Sequence, residues 1–129
     1  MIYEGVEQYR KGDYDTAFEY YAKAAGSGSA DAHYRLAGMY HGGQGVEKDM
    51  GKQTHHLEEA AIGGHPHARY ILGCNEIKNN GNVDRAVKHF IISAAQGEDN
   101  AIKMLMNAFK EGCLSKEELL LLFVHTRLL

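Results

Sequence analysis

Eight histidines are spread through the 129 residues, at His33, His41, His55, His56, His65, His67, His89 and His125. They are the first place to look for chemistry. Two imidazoles three or four residues apart share a helix face and can hold a metal ion together. No two of the eight have that spacing. His65-Pro66-His67 comes nearest, but Pro66 suits the first position of a helix with His65 just outside it, so the stretch reads as a structural turn. His56 and His89 stand beside Leu57 and Phe90 at equivalent places of a repeat set out below, and read as packing or capping residues.

Other reactive groups lead no further. Gly42-Gly43-Gln44-Gly45 is glycine-rich, yet no Gly-Lys-Ser/Thr follows and no strand precedes it, as a phosphate cradle requires. Ser27, Ser29, Ser93 and Ser115 sit at helix junctions or repeat positions, outside any nucleophile-elbow context. Glu58-Glu59 and Glu117-Glu118 are adjacent on helices and diverge, so neither pair faces one substrate. Cys74 and Cys113 lack Cys-x-x-Cys spacing and read as reduced core or groove thiols. The expectation is no enzyme, no cofactor and no metal.

A net charge of -3 without a dense Lys/Arg block argues against nucleic acid or an anionic membrane as the main partner. The N-terminal MIYEGVEQYRKGD lacks the layout of a secretory signal, and Leu119 to Val124 falls far short of the ~20 apolar residues that span a bilayer. An intracellular, cytoplasmic location without membrane insertion is the expectation for this stretch of chain.

What must position these residues is a repeat. Ala24 to Tyr40, Ala60 to Glu76 and Ser93 to Phe109 align, with Gly28, Gly64 and Gly97 equivalent, as are Ala32, Ala68 and Ala101, and Leu36, Leu72 and Leu105. Upstream lie Ala17, Gln53 and Ala86, then Tyr20/Tyr21, His56/Leu57 and His89/Phe90, then Ala24, Ala60 and Ser93, at helical spacing. The pattern predicts helices at about 2–11, 14–26, 30–41, 49–62, 67–79, 83–96, 99–111 and 115–127. Small residues let paired helices approach, and Gly12, Gly28, Gly64, Gly81 and Gly97 end helices in left-handed conformations. The expected fold is an all-α superhelix, a solenoid of three to four antiparallel helix pairs in one domain, with units near 1–28, 29–64, 65–97 and 98–111 and a capping helix at 115–127.

Tyr9 to Ala24, YRKGDYDTAFEYYAKA, resembles the tetratricopeptide repeat. The middle unit is more similar to its relative, the Sel-one-like repeat: Ala32, Leu36, Tyr40, Gly43, Gly45, Val46, Asp49, Lys52 and Ala60-Ala61 match its pattern. Ala37 stands where Gly is usual, Gln53 replaces Ala, His56 replaces a bulky aromatic, and the 77–82 turn omits the Gly-x-Gly-Val insertion. The resemblance covers about residues 3–111. It implies a non-enzymatic adaptor that binds a protein or peptide.

By analogy with tetratricopeptide grooves, the first helix of each pair lines a concave face. That nominates Asp31, Tyr34 and His41, then His67, Tyr70 and Cys74, then Lys103, Asn107 and Lys110 as partner-binding residues. The competing reading is a small metal- or ligand-binding helical protein using His65, His67 and nearby groove residues. Ser115-Lys116-Glu117-Glu118 forms a capping box, and the apolar helix after it is expected to cover the stack and to offer a surface for self-association.

Overall fold

The computed structural model describes residues 2–112, 114–117 and 120. Among them are seven α-helices and no strand: α1 (Ile2–Arg10), α2 (Tyr14–Gly26), α3 (Ala30–Gly42), α4 (Met50–Ile62), α5 (Pro66–Asn80), α6 (Val83–Ala95) and α7 (Asp99–Lys110). Each begins and ends within one or two residues of the position expected from the repeat. Of the helix expected at 115–127, Ser115 is described and not helical, Lys116, Glu117 and Leu120 are helical, and the remainder, with most of its proposed self-association surface, lies outside the described residues.

Local chemistry sets the boundaries. At three helix ends the backbone closes in the same way: Gly28 N–H donates to Ala25 O and Ser29 N–H to Ala24 O, with Gly64/Ala61 and His65/Ala60, then Gly97/Ala94 and Glu98/Ser93, repeating the arrangement. This double closure needs a left-handed residue. Gly28, Gly64 and Gly97 supply it at φ of 95°, 92° and 92°. The residue after each of these glycines then caps the following helix, Ser29 Oγ accepting from Ala32 N–H at 3.1 Å, His65 Nδ1 from Ala68 N–H at 3.1 Å and Glu98 Oε1 from Asn100 N–H at 3.4 Å. Asp13, Asp49 and Asn82 cap α2, α4 and α6 likewise.

The chain divides into two compact units, Met1–Ala68 and Arg69–Leu129, the division falling in the first turn of α5. In the first, Ala17, Tyr21, Ala24, Ala25, Ala32, Leu36 and Met39 form a core, with Ile2, Val6, Tyr9, Tyr14, Phe18 and Val46 packed around it. In the second, Ala86, Phe90, Ala94, Ala101, Leu105 and Leu114 do the same. Of the alanines expected at helix crossings, Ala17, Ala32, Ala68, Ala86 and Ala101 are fully buried and Ala24 is 5% exposed. A larger side chain there would hold the backbones apart.

The loop between α3 and α4 takes its form from Gly43 and Gly45, at φ of 68° and 71°, and is tied to α1 by the Tyr9 hydroxyl, which donates to Gln44 Oε1 at 2.8 Å. Where the sequence omits that insertion, α5 instead runs on to Asn80 and turns through Gly81 into α6.

Candidate functional site

In the first unit, α3 and the start of α5 bring three of the nominated residues together. His65 Nδ1 is committed as acceptor to the Ala68 N–H, which places its proton on Nε2. That nitrogen faces Asp31 Oδ1 at 3.8 Å. The Tyr34 ring stacks on His65, with centroids 4.3 Å apart and planes within 15°, and His67 meets the same tyrosine edge-on at 5.7 Å. Asp31 Oδ2 accepts from Arg35 Nε at 3.1 Å, and the Arg35 guanidinium lies 5.9 Å from the centroid of the buried Tyr21 ring. The result is a half-buried aromatic step with a carboxylate at its edge, seated on rigid helix. His41 stands two turns beyond Tyr34, exposed in the last turn of α3.

The second unit sorts its nominees differently. Tyr70 and Cys74, one turn apart on α5, pack against the core, with the Tyr70 ring 5.7 Å from Phe90. A hydrogen bond with Cys74, reinforced by burial, pushes the Tyr70 hydroxyl pKa up. Cys74 is a free thiol. Lys103, Asn107 and Lys110 occupy one exposed stripe of α7, while Ala101 and Leu105 on the same helix are fully buried. Here the packing residues and the accessible residues are separate sets.

A third feature was not visible in the spacing. His33 on α3 and His56 on α4 meet with Nδ1 atoms 3.0 Å apart. His56 also stacks on Tyr40, centroids 5.7 Å apart and planes within 7°, and Lys52 Nζ lies 5.6 Å from that tyrosine's centroid. Burial, then the proximity of His33 and His55, lowers the His56 pKa to about 4, against an opposing pull from Glu59. A search for imidazoles three or four residues apart passes over this pair, because 23 residues and a helix turn separate them. Their equivalence to facing positions of a helix hairpin was the usable signal. Among the described residues no three His, Cys, Asp or Glu side chains converge as ligands for a metal. Nor is any described helix long and apolar enough to cross a membrane.

The comparisons with known proteins follow the same phase. The Sel1 repeat profile matches residues 1–29, 30–65 and 66–98. An uncharacterized protein of Neisseria meningitidis serogroup B is 31% identical over 105 residues, 78% of this chain and 21% of that protein. The crystal structure of a Sel1 repeat protein from Oxalobacter formigenes superposes at a TM-score of 0.79 with 25% identity, over 87% of this chain and 47% of that one. A protective antigen of uropathogenic Escherichia coli displaying an SLR fold superposes at 0.77 with 21% identity, over 98% and 29%. This chain therefore spans about a fifth of its curated relative and less than half of each solved chain. With three consecutive repeats in register with the helix pairs and an all-α helical-repeat fold shared with solved members, the chain belongs to the Sel1 repeat family.

Proposed function

We propose that this chain is a non-enzymatic scaffold that holds a peptide or protein partner on the inner faces of its helix pairs. Sel1 repeats are generally protein–protein interaction modules and are typically non-catalytic. The observation that carries the site is the Tyr34–His65–His67 step beside Asp31. Tyr and His expose apolar ring surface with a polar tip, already fixed by stacking and by a helix cap, so little rotamer freedom is lost when a ligand settles on them. In the second unit the exposed Lys103, Asn107 and Lys110 are the contact residues, and the more enclosed Tyr70 and Cys74 support the helix that bears them less directly on a partner.

The test uses one residue of each unit, the stacked Tyr34 of the first and the exposed Lys103 of the second. Affinity capture with the purified chain, followed by mass spectrometry, is run beside Tyr34→Ala, Lys103→Glu and the double variant. Partners captured by the wild type should be lost from the double variant while its melting temperature stays within a few degrees. Full capture by that variant would refute these faces as the site.

A further inference from the structure

His33 and His56 take no part in the docking face, yet they join α3 to α4. Two imidazole nitrogens 3.0 Å apart bond only when one donates and the other accepts. With both rings protonated, two donors and two positive charges oppose each other at that distance. The surroundings do not relieve this. From α4, His55 sits edge-on to His56 with centroids 5.2 Å apart, and Lys52 adds positive charge, against which Glu59 is the opposing carboxylate. From α3, Tyr40 covers the His56 ring, and α2 contributes the neutral Phe18, edge-on to Tyr40. A metal ion is a poor occupant, since no third donor converges there among the described residues.

We propose that the His33–His56 contact is an acid-released clasp between α3 and α4, closed while one ring can still accept a hydrogen bond and opened when both rings are protonated. The sign follows from linkage. His56 has a pKa near 4 in the fold and 6.5 as its ordinary value, so the unfolded chain takes up the proton first. The stability contributed by holding His56 neutral is complete above pH 6.5 and is lost progressively as the pH falls from there toward 4. Because α3 also carries Asp31 and Tyr34, opening the clasp loosens the helix that presents them. That consequence rests on the docking reading, whereas the clasp itself does not.

The experiment compares the wild type with His56→Phe between pH 7.5 and 4.5, by melting temperature and by hydrogen exchange of α3 and α4. Phenylalanine keeps a ring against Tyr40 and cannot titrate. The wild type should lose several degrees more than the variant across this range, with α3 and α4 amides losing protection, and its His56 should titrate below pH 5 by NMR. Parallel losses in the two proteins, or a His56 titrating near 6.5, would overturn the clasp. If His56→Phe does not fold, the wild-type NMR titration decides alone. Partner capture at pH 5 and 7.5 then separates the two readings: an opening clasp with undiminished capture upholds the clasp and overturns docking on α3.

Discussion

In the first unit, a Cβ added to Gly5 would stand 2.6 Å from Cε1 of Tyr21, and in the second, a Cβ on Gly73 would meet Cε1 of Phe90 at 2.6 Å. The two glycines occupy the same place in their repeats, as do the two rings. The repeat between them carries Leu57 at the ring position and Ala37 at the glycine position, both 2% exposed. Gly faces an aromatic ring, and Ala accompanies a branched aliphatic. The residue on one helix thus varies with the volume at the corresponding position of its partner, Ala37, a departure from the family pattern, accompanying Leu57 where Gly5 and Gly73 accompany rings.

The largest effect should come from forcing the second unit to break this pairing. Gly73→Ala improves intrinsic helix preference by roughly 0.5–1 kcal/mol, but it drives a methyl group into a ring that is 3% exposed and hemmed in by Ala86, Ala94 and Leu105. Overpacking of that kind costs about 1–3 kcal/mol, and we expect a net loss in urea denaturation. Adding Phe90→Leu should recover much of it, as the middle repeat already demonstrates with Leu57 and Ala37. Strictly additive single and double variants would show that the two positions are not coupled and would undo the comparison.

The converse substitution sharpens it in the first unit. Leu57→Phe alone should destabilise, and Leu57→Phe with Ala37→Gly should destabilise less than the sum of the two changes, by a coupling of about 0.5–3 kcal/mol read from the same denaturation series. Ala37→Gly by itself loses helix preference and leaves a small void. A coupling near zero would mean that the close approach belongs to the aromatic repeats alone.

Much of this fold was legible because its signals are local and periodic. Gly28, Gly64 and Gly97 mark helix ends through a backbone conformation that other residues adopt at a cost, and Ala17, Ala32, Ala86 and Ala101 mark crossings through their size. The loop omitted at 77–82 was also readable, since the missing glycines leave α5 free to extend. What the sequence did not reveal depends on two helices at once. The His33–His56 bond and the facing of Gly73 by Phe90 pair residues 23 and 17 positions apart, outside the reach of any single-helix pattern. Among the nominated residues, Asp31, Tyr34 and His67 converge, but helical periodicity alone did not separate the core-packed Tyr70 and Cys74 from the exposed Lys103, Asn107 and Lys110. That distinction depends on what packs against α5.

The smallest effects lie at the caps, and there too the units differ in chemistry. Ser29 and Asn82 cap with neutral oxygens, so Ser29→Ala and Asn82→Ala should each cost about 1 kcal/mol, at pH 7.5 and pH 5 alike. His65 caps with an imidazole nitrogen, whose lone pair accepts the Ala68 N–H only while it is unprotonated. His65→Ala should cost at least a comparable amount, because the Ala68 N–H loses its acceptor and Tyr34 loses the ring stacked on it. His65→Asn restores an oxygen cap without the stacked ring, so it should recover part of that loss in urea denaturation. Full recovery by His65→Asn would show that the cap decides the loss and that stacking on Tyr34 adds nothing to it.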